Sequence, residues 1–143
     1  MLDLLNPLTQ YGGDHRYVKY TQDVACLSTD AVGKPMCIRG DRVNGKWRVE
    51  QANPTLDGKM PAIGILISKS TPTVGVIQLF GPVVDIFTGL DFTKPSYMVG
   101  ETGIQDTAPA PGGGGYAWVQ HIGKPVASDV LLLLGDLSML KRK

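Results

Sequence analysis

The sequence predicts an all-β fold, a small β-barrel or β-sandwich with an extended N-terminal arm, on three observations. Residues that favour turns are abundant and good helix formers are scarce: 18 of the 143 residues are Gly and 10 are Pro, and of the 13 acidic residues only Glu50 and Glu101 are Glu. Turn signals recur every ~8–12 residues, the rhythm of a sandwich or barrel. Nowhere does an amphipathic helical period hold for three turns. With 43% hydrophobic and 19% charged residues, the chain has the composition and length of one ordered domain with a sizeable core. Residues 17–143 are expected to form that domain and residues 1–16 the arm.

The arm, "MLDLLNPLTQYGGDHR", combines leucines, a proline and a Gly-Gly pair, and fits neither a strand nor a long helix. Leu2, Leu4, Leu5, Leu8 and Tyr11 are its candidate anchors, either on a partner or on the domain's own core. "YVKYTQDVACLS" alternates loosely and reads as a kinked strand. In "KPMCIRGDRVNGKWRVEQA", Asn44-Gly45 separates two β-rich runs, and this pair suits a two-residue hairpin because both positions need φ > 0. "MPAIGILISKS" and "TPTVGVIQLFGPVVDIF" follow as apolar strands broken by Gly and Pro. "PSYMVGETG" is a short strand into a turn, "YAWVQHIGKPV" another strand, and "DVLLLLGD" a strand expected to be buried on both faces. "GKMPAIGILIS" and "IGKPVASDVLLLL" echo one another and suggest two similarly built strands at equivalent positions. The terminal Lys141-Arg142-Lys143 reads as a solvated basic tail.

A formal net charge of +1 supplies no field for nucleic acid or an anionic membrane. No signal peptide is visible, and Leu131–Leu134 falls far short of the ~20 residues of a membrane span, so a soluble chain is expected. Cys26 and Cys37 have no CxxC spacing; buried free thiols of a reducing compartment come first, a disulfide second and a metal site third.

The Gly112–Gly115 run is no phosphate loop. Counting back from Gly123-Lys124, the first glycine of that motif would fall on Trp118, and Pro125 stands where Ser or Thr is required. No helix follows to offer its N-terminus. The four glycines therefore read as an inter-strand loop. His15 and His121 are the only histidines, and His121 in its strand-like run reads as structural. Neither zinc nor calcium spacing is present, so no metal, no cofactor and no small-molecule substrate are expected. The scattered aspartates (Asp14, Asp30, Asp41, Asp57, Asp91, Asp106, Asp129) suit turns, and Arg39-Gly40-Asp41 is ordinary sequence before a hairpin. The aromatics, among them Trp47, Phe80, Tyr97, Tyr116 and Trp118, lack basic interleaving and suit packing.

From Val76 to Leu134 the chain resembles a β-rich module of tailed-bacteriophage structural proteins, above all capsid decoration (cement) and head-fibre proteins. The matching elements are Gly81-Pro82-Val83, Gly89-Leu90, Tyr97-Met98-Val99-Gly100, Gly103 to Pro109, "VQHIGKPVA" at 119–127 and the apolar strand Val130–Leu134, with "PAIGILIS" as an earlier strand. The chain departs from the family in its arm, which bears Leu and Pro where many cement proteins are rich in Ala, Gly and Thr. The resemblance implies a β-tulip-like domain without enzymatic activity, made in the host bacterial cytoplasm and carried on the outer surface of the virion capsid. It implies a homotrimer that bridges major capsid protein subunits. Leu2, Leu4, Leu5, Leu8 and Tyr11 would then bind the capsid, and Tyr116, Trp118, Leu131 and Leu133 would pack the core or the trimer. A head-fibre or tail module that attaches to the host, and a small trimeric β enzyme, are the alternatives, and a ligand-holding β-barrel is a third, since pockets come from shape.

Overall fold

The computed structural model describes residues 19–111 and 117–142. Among them the regular secondary structure is almost wholly strand, as expected. In order these are β1 (Tyr20–Ala25), β2 (Pro35–Val43), β3 (Lys46–Gln51), β4 (Ala62–Thr71), β5 (Val74–Val84), β6 (Tyr97–Val99), β7 (Ile104–Gln105), β8 (Ala117–Val119), β9 (His121–Ala127), β10 (Val130–Leu133) and β11 (Leu140–Arg142). One 3₁₀ turn, Asp57–Lys59, precedes β4.

Five strands pair in a cycle. β1 lies parallel to β3, β3 antiparallel to β2, β2 to β4, β4 to β5, and β5 returns to β1. The β2–β3 hairpin turns at Asn44 (φ 52°) and Gly45 (φ 75°), with Val43 opposite Lys46. That turn is the one the sequence announces. Each strand of the cycle sends a side chain inward: Val24, Met36, Val49, Leu66 and Ile77, all fully buried, form one core with Cys26.

The second half of β5 leaves this cycle. Val74–Phe80 pairs with β1, and Gly81–Val84 pairs with β10. Gly81 sits at φ 90° at the change of partner. There the buried Gln78 Nε2 donates to Phe80 O (3.2 Å) and Pro82 O (2.8 Å), satisfying carbonyls on either side of Gly81. β10, β9, β6 and β7 then continue a sheet outward from β5. Its inner residues Val83, Leu131, Leu133, Ile122, Val99 and Tyr97 form a second core with Cys37, Ala52, Ala62 and Ile65. Neighbouring residues of β2 (Met36, Cys37) and of β4 (Ile65, Leu66) therefore point into opposite cores. A bulge in β4 shifts its inward parity: Met36 faces Gly64 while Cys37 faces Ala62, so one β2 step spans two β4 residues.

Several expectations are corrected. Leu131 and Leu133 are buried, but Leu134 is 44% exposed, so the leucine run is not sealed on both faces. "YAWVQHIGKPV" is two strands interrupted at Gln120. Lys141 and Arg142 are exposed, as the solvated-tail reading expects, but they also belong to a strand that the sequence does not signal: Leu140–Arg142 pairs antiparallel with β8, and Arg142 Nη1 donates to Pro109 O (2.9 Å). The two Gly-Lys echoes are not equivalent, since Gly58-Lys59 lies in the 3₁₀ turn and Gly123-Lys124 within β9.

Candidate functional site

Along each strand of the cycle, stepping two positions from the sealed core keeps the side chain on the inner face. In β2 this step leads from Met36 to Ile38, in β3 from Val49 to Trp47, and in β5 from Ile77 to Leu79. In β4 the Gly64 bulge brings Ile63 to the same level. Trp47, Ile63 and Leu79 pack on the core but are only partly buried. Ile38 is 45% exposed. The interior of the cycle thus opens at one end into a cleft of about 770 Å³, within the ~300–1,000 Å³ usual for binding clefts.

Tyr20 and Phe80 form one wall, their ring centroids 6.0 Å apart, and Leu134, Gly135 and Leu137 form another. Gly135, at φ 70°, carries the chain past the Phe80 ring, where an added Cβ would come 3.2 Å from Cδ1. Among the described residues, Asp41 and Arg42 supply the only charges of the lining. Neither belongs to an ion pair among the described residues.

Five of the twelve exposed large apolar side chains among the described residues line this one cleft: Tyr20, Ile38, Phe80, Leu134 and Leu137. Such grouping is more concentrated than singly scattered surface apolar residues. Fully burying one such side chain gains ~1.5–3 kcal/mol, so covering five that are about half exposed returns roughly 4–8 kcal/mol before ordering costs. The lining can bury and grip; its charges sit side by side on one strand.

Titratable groups elsewhere are held in structural roles. Burial pushes the Cys37 thiol up to about 11, reinforced by Glu50, and burial also raises Cys26; both cysteines are free. Asp30 accepts from Leu27 N (2.8 Å) and Gln51 N (3.2 Å), tying the turn after β1 to β3. Asp91 is lowered by hydrogen bonds from Thr93, and Asp136 by those from Ser138. The exposed His121 shares a 2.5 Å hydrogen bond between Nδ1 and Ser96 Oγ. No ion pair to His121 occurs among the described residues. Among the described residues no group of three His, Cys, Asp or Glu could hold a metal, and no helix is long and apolar enough to cross a membrane.

The residues singled out in the sequence fall in three places. Leu131 and Leu133 lie in the second core. Trp118 is half-buried on β8, its Nε1 donating to Asp57 Oδ1 (2.8 Å) and its ring 5.2 Å beneath Lys141 Nζ. Leu2, Leu4, Leu5, Leu8, Tyr11 and Tyr116 lie outside the described residues, as do His15 and the four glycines. A pocket is among the alternatives the sequence leaves open, but its place and lining are not legible there. Ile38, Leu79 and Leu137 carry no sequence signal beyond apolarity, and only the closed set of pairings reveals that they share one opening. No family model, no curated protein and no solved structure shows a significant match to this chain.

Proposed function

We propose that this chain is a non-enzymatic decoration protein of a tailed-bacteriophage head, homotrimeric, docked on the outside of the capsid and bridging major capsid protein subunits. One observation carries the reading. The body has a well-satisfied interior, with no orphaned buried side-chain polar atom among the described residues, yet leaves an apolar cleft open beside the start of β1. A surface of that kind suits assembly with other chains. The resemblance of residues 76–134 to decoration modules supplies the class of assembly. Multivalent attachment then makes weak individual contacts sufficient, because linked sites raise avidity by ~10²–10⁴.

The test uses purified protein and capsids that lack it. Co-sedimentation should saturate at a fixed ratio to the major capsid protein, and decorated capsids should survive higher temperature or osmotic shock than bare ones. Failure to bind, or equal robustness of the two particles, overturns the reading.

A further inference from the structure

We infer that the cleft is the seat of the Leu2–Leu8 segment of a neighbouring copy of this chain. The inference rests on the self-association in the proposed function, but moves the seat of the arm from the major capsid protein to the next decoration subunit.

Three observations select this occupant. The first is chemical. "LDLLNPL" offers four leucines to a lining of aliphatic and aromatic side chains. Its only charge, Asp3, can pair with Arg42, which has no ion-pair partner among the described residues, although the adjacent Asp41 of the same lining offsets part of that attraction. The second is backbone chemistry. Pro7 lacks an N–H and biases Asn6 toward extended conformations, so the sequence favours lying along a groove over coiling into a helix.

The third is the tether. The described chain starts at Lys19, and the next residue, Tyr20, is part of the cleft wall. Eleven residues separate Leu8 from Tyr20. Extended, that link spans up to ~40 Å, more than the width of a domain whose radius of gyration is ~14 Å. An arm anchored at the mouth of one cleft therefore reaches the cleft of an adjoining copy. Passing each arm to the next copy around a closed ring fills every cleft with the same contact. Return of the arm to its own cleft would bury similar surface without joining copies.

Mixing separates these cases. Three proteins are weighed by light scattering at equal concentration: the full chain, the chain without residues 1–16, and Leu137→Asp with its arm intact. Leu137 is 51% exposed and outside the strands, so its replacement spares the cores. The full chain should weigh about three copies and each variant one. The two variants mixed should associate, the arm of Leu137→Asp entering the open cleft of the truncated chain. Should Leu137→Asp lose its folded circular dichroism spectrum, Arg42→Asp replaces it, expected to weaken association roughly 2–5-fold and to be rescued by Asp3→Arg. An oligomeric full chain whose variants never associate on mixing, or a full chain that stays single, overturns the inference. Capsid binding without complementation leaves the decoration reading standing, and complementation without capsid binding overturns that reading alone.

Discussion

Gln120 does with its side chain what a strand does with its backbone. Its Oε1 accepts from Ala62 N (2.8 Å) and its Nε2 donates to Ala62 O (2.7 Å) and Asp136 O (3.2 Å), all from a position 1% exposed. In Gln120→Leu the Ala62 N–H and C=O lose these partners, and an unsatisfied buried group costs roughly 1–3 kcal/mol. Urea unfolding should show a loss of at least ~2 kcal/mol, and a loss near zero would mean that water or a shifted strand replaces the amide. Cys37 makes a second residue-scale prediction. Its thiol rises from 9.0 to about 11 on folding because burial disfavours the thiolate. Between those values the folded state holds the proton and the unfolded state releases it, so stability is complete below pH 9 and falls as pH climbs toward 11. Cys37→Ala should flatten that slope in thermal melts recorded against pH. An unchanged slope would assign it to other groups.

At the scale of the element, β4 and β5 approach so closely that Gly64 has no room for a side chain. A Cβ there would lie 2.3 Å from Gln78 O, a backbone atom that cannot rotate aside. Gly64→Ala should therefore cost roughly 1–3 kcal/mol or more, as overpacking does, while Gly58→Ala, which meets nothing within 4 Å, should leave the melting temperature almost unchanged. Equal melting temperatures for the two variants would contradict the tight ladder. Legibility in the sequence divides along the same line between local and distant causes. The Asn44-Gly45 turn was readable because two adjacent residues impose it. The break between β8 and β9 was not, because its cause is Gln120 reaching Ala62, 58 residues away. Nor was β11, whose pairing with β8 comes from across the chain and not from any β pattern in Lys141-Arg142. Parallel pairing of β1 with β3 closes the strand cycle through two register positions, Val24–Trp47 and Ala25–Arg48, and no local signal marks either. The candidate cleft inherits that obscurity, since it exists only where the cycle is closed.

For the whole molecule, the two cores are not two folding units. β5 gives Ile77 to one and Val83 to the other, and β2 and β4 each contribute to both. Scanning calorimetry should accordingly show one transition with matching calorimetric and van't Hoff enthalpies; two resolved peaks would separate the cycle from the outer sheet. β1 gives this unity a mechanical meaning. It is the strand through which residues 1–19 join the body, and it is matched to β5 at six positions from Tyr20–Phe80 to Ala25–Val74. Antiparallel hydrogen bonds run perpendicular to their strands. Because the two strands are antiparallel, Tyr20 and the Gly81–Val84 stretch that joins β10 lie at the same end of this ladder, so tension between the arm and β10 opens the pairs one at a time from Tyr20–Phe80 inward. Force on this junction thus enters and leaves at one end of the β1–β5 ladder, and the Tyr20–Phe80 ring contact sits where the first pair would part.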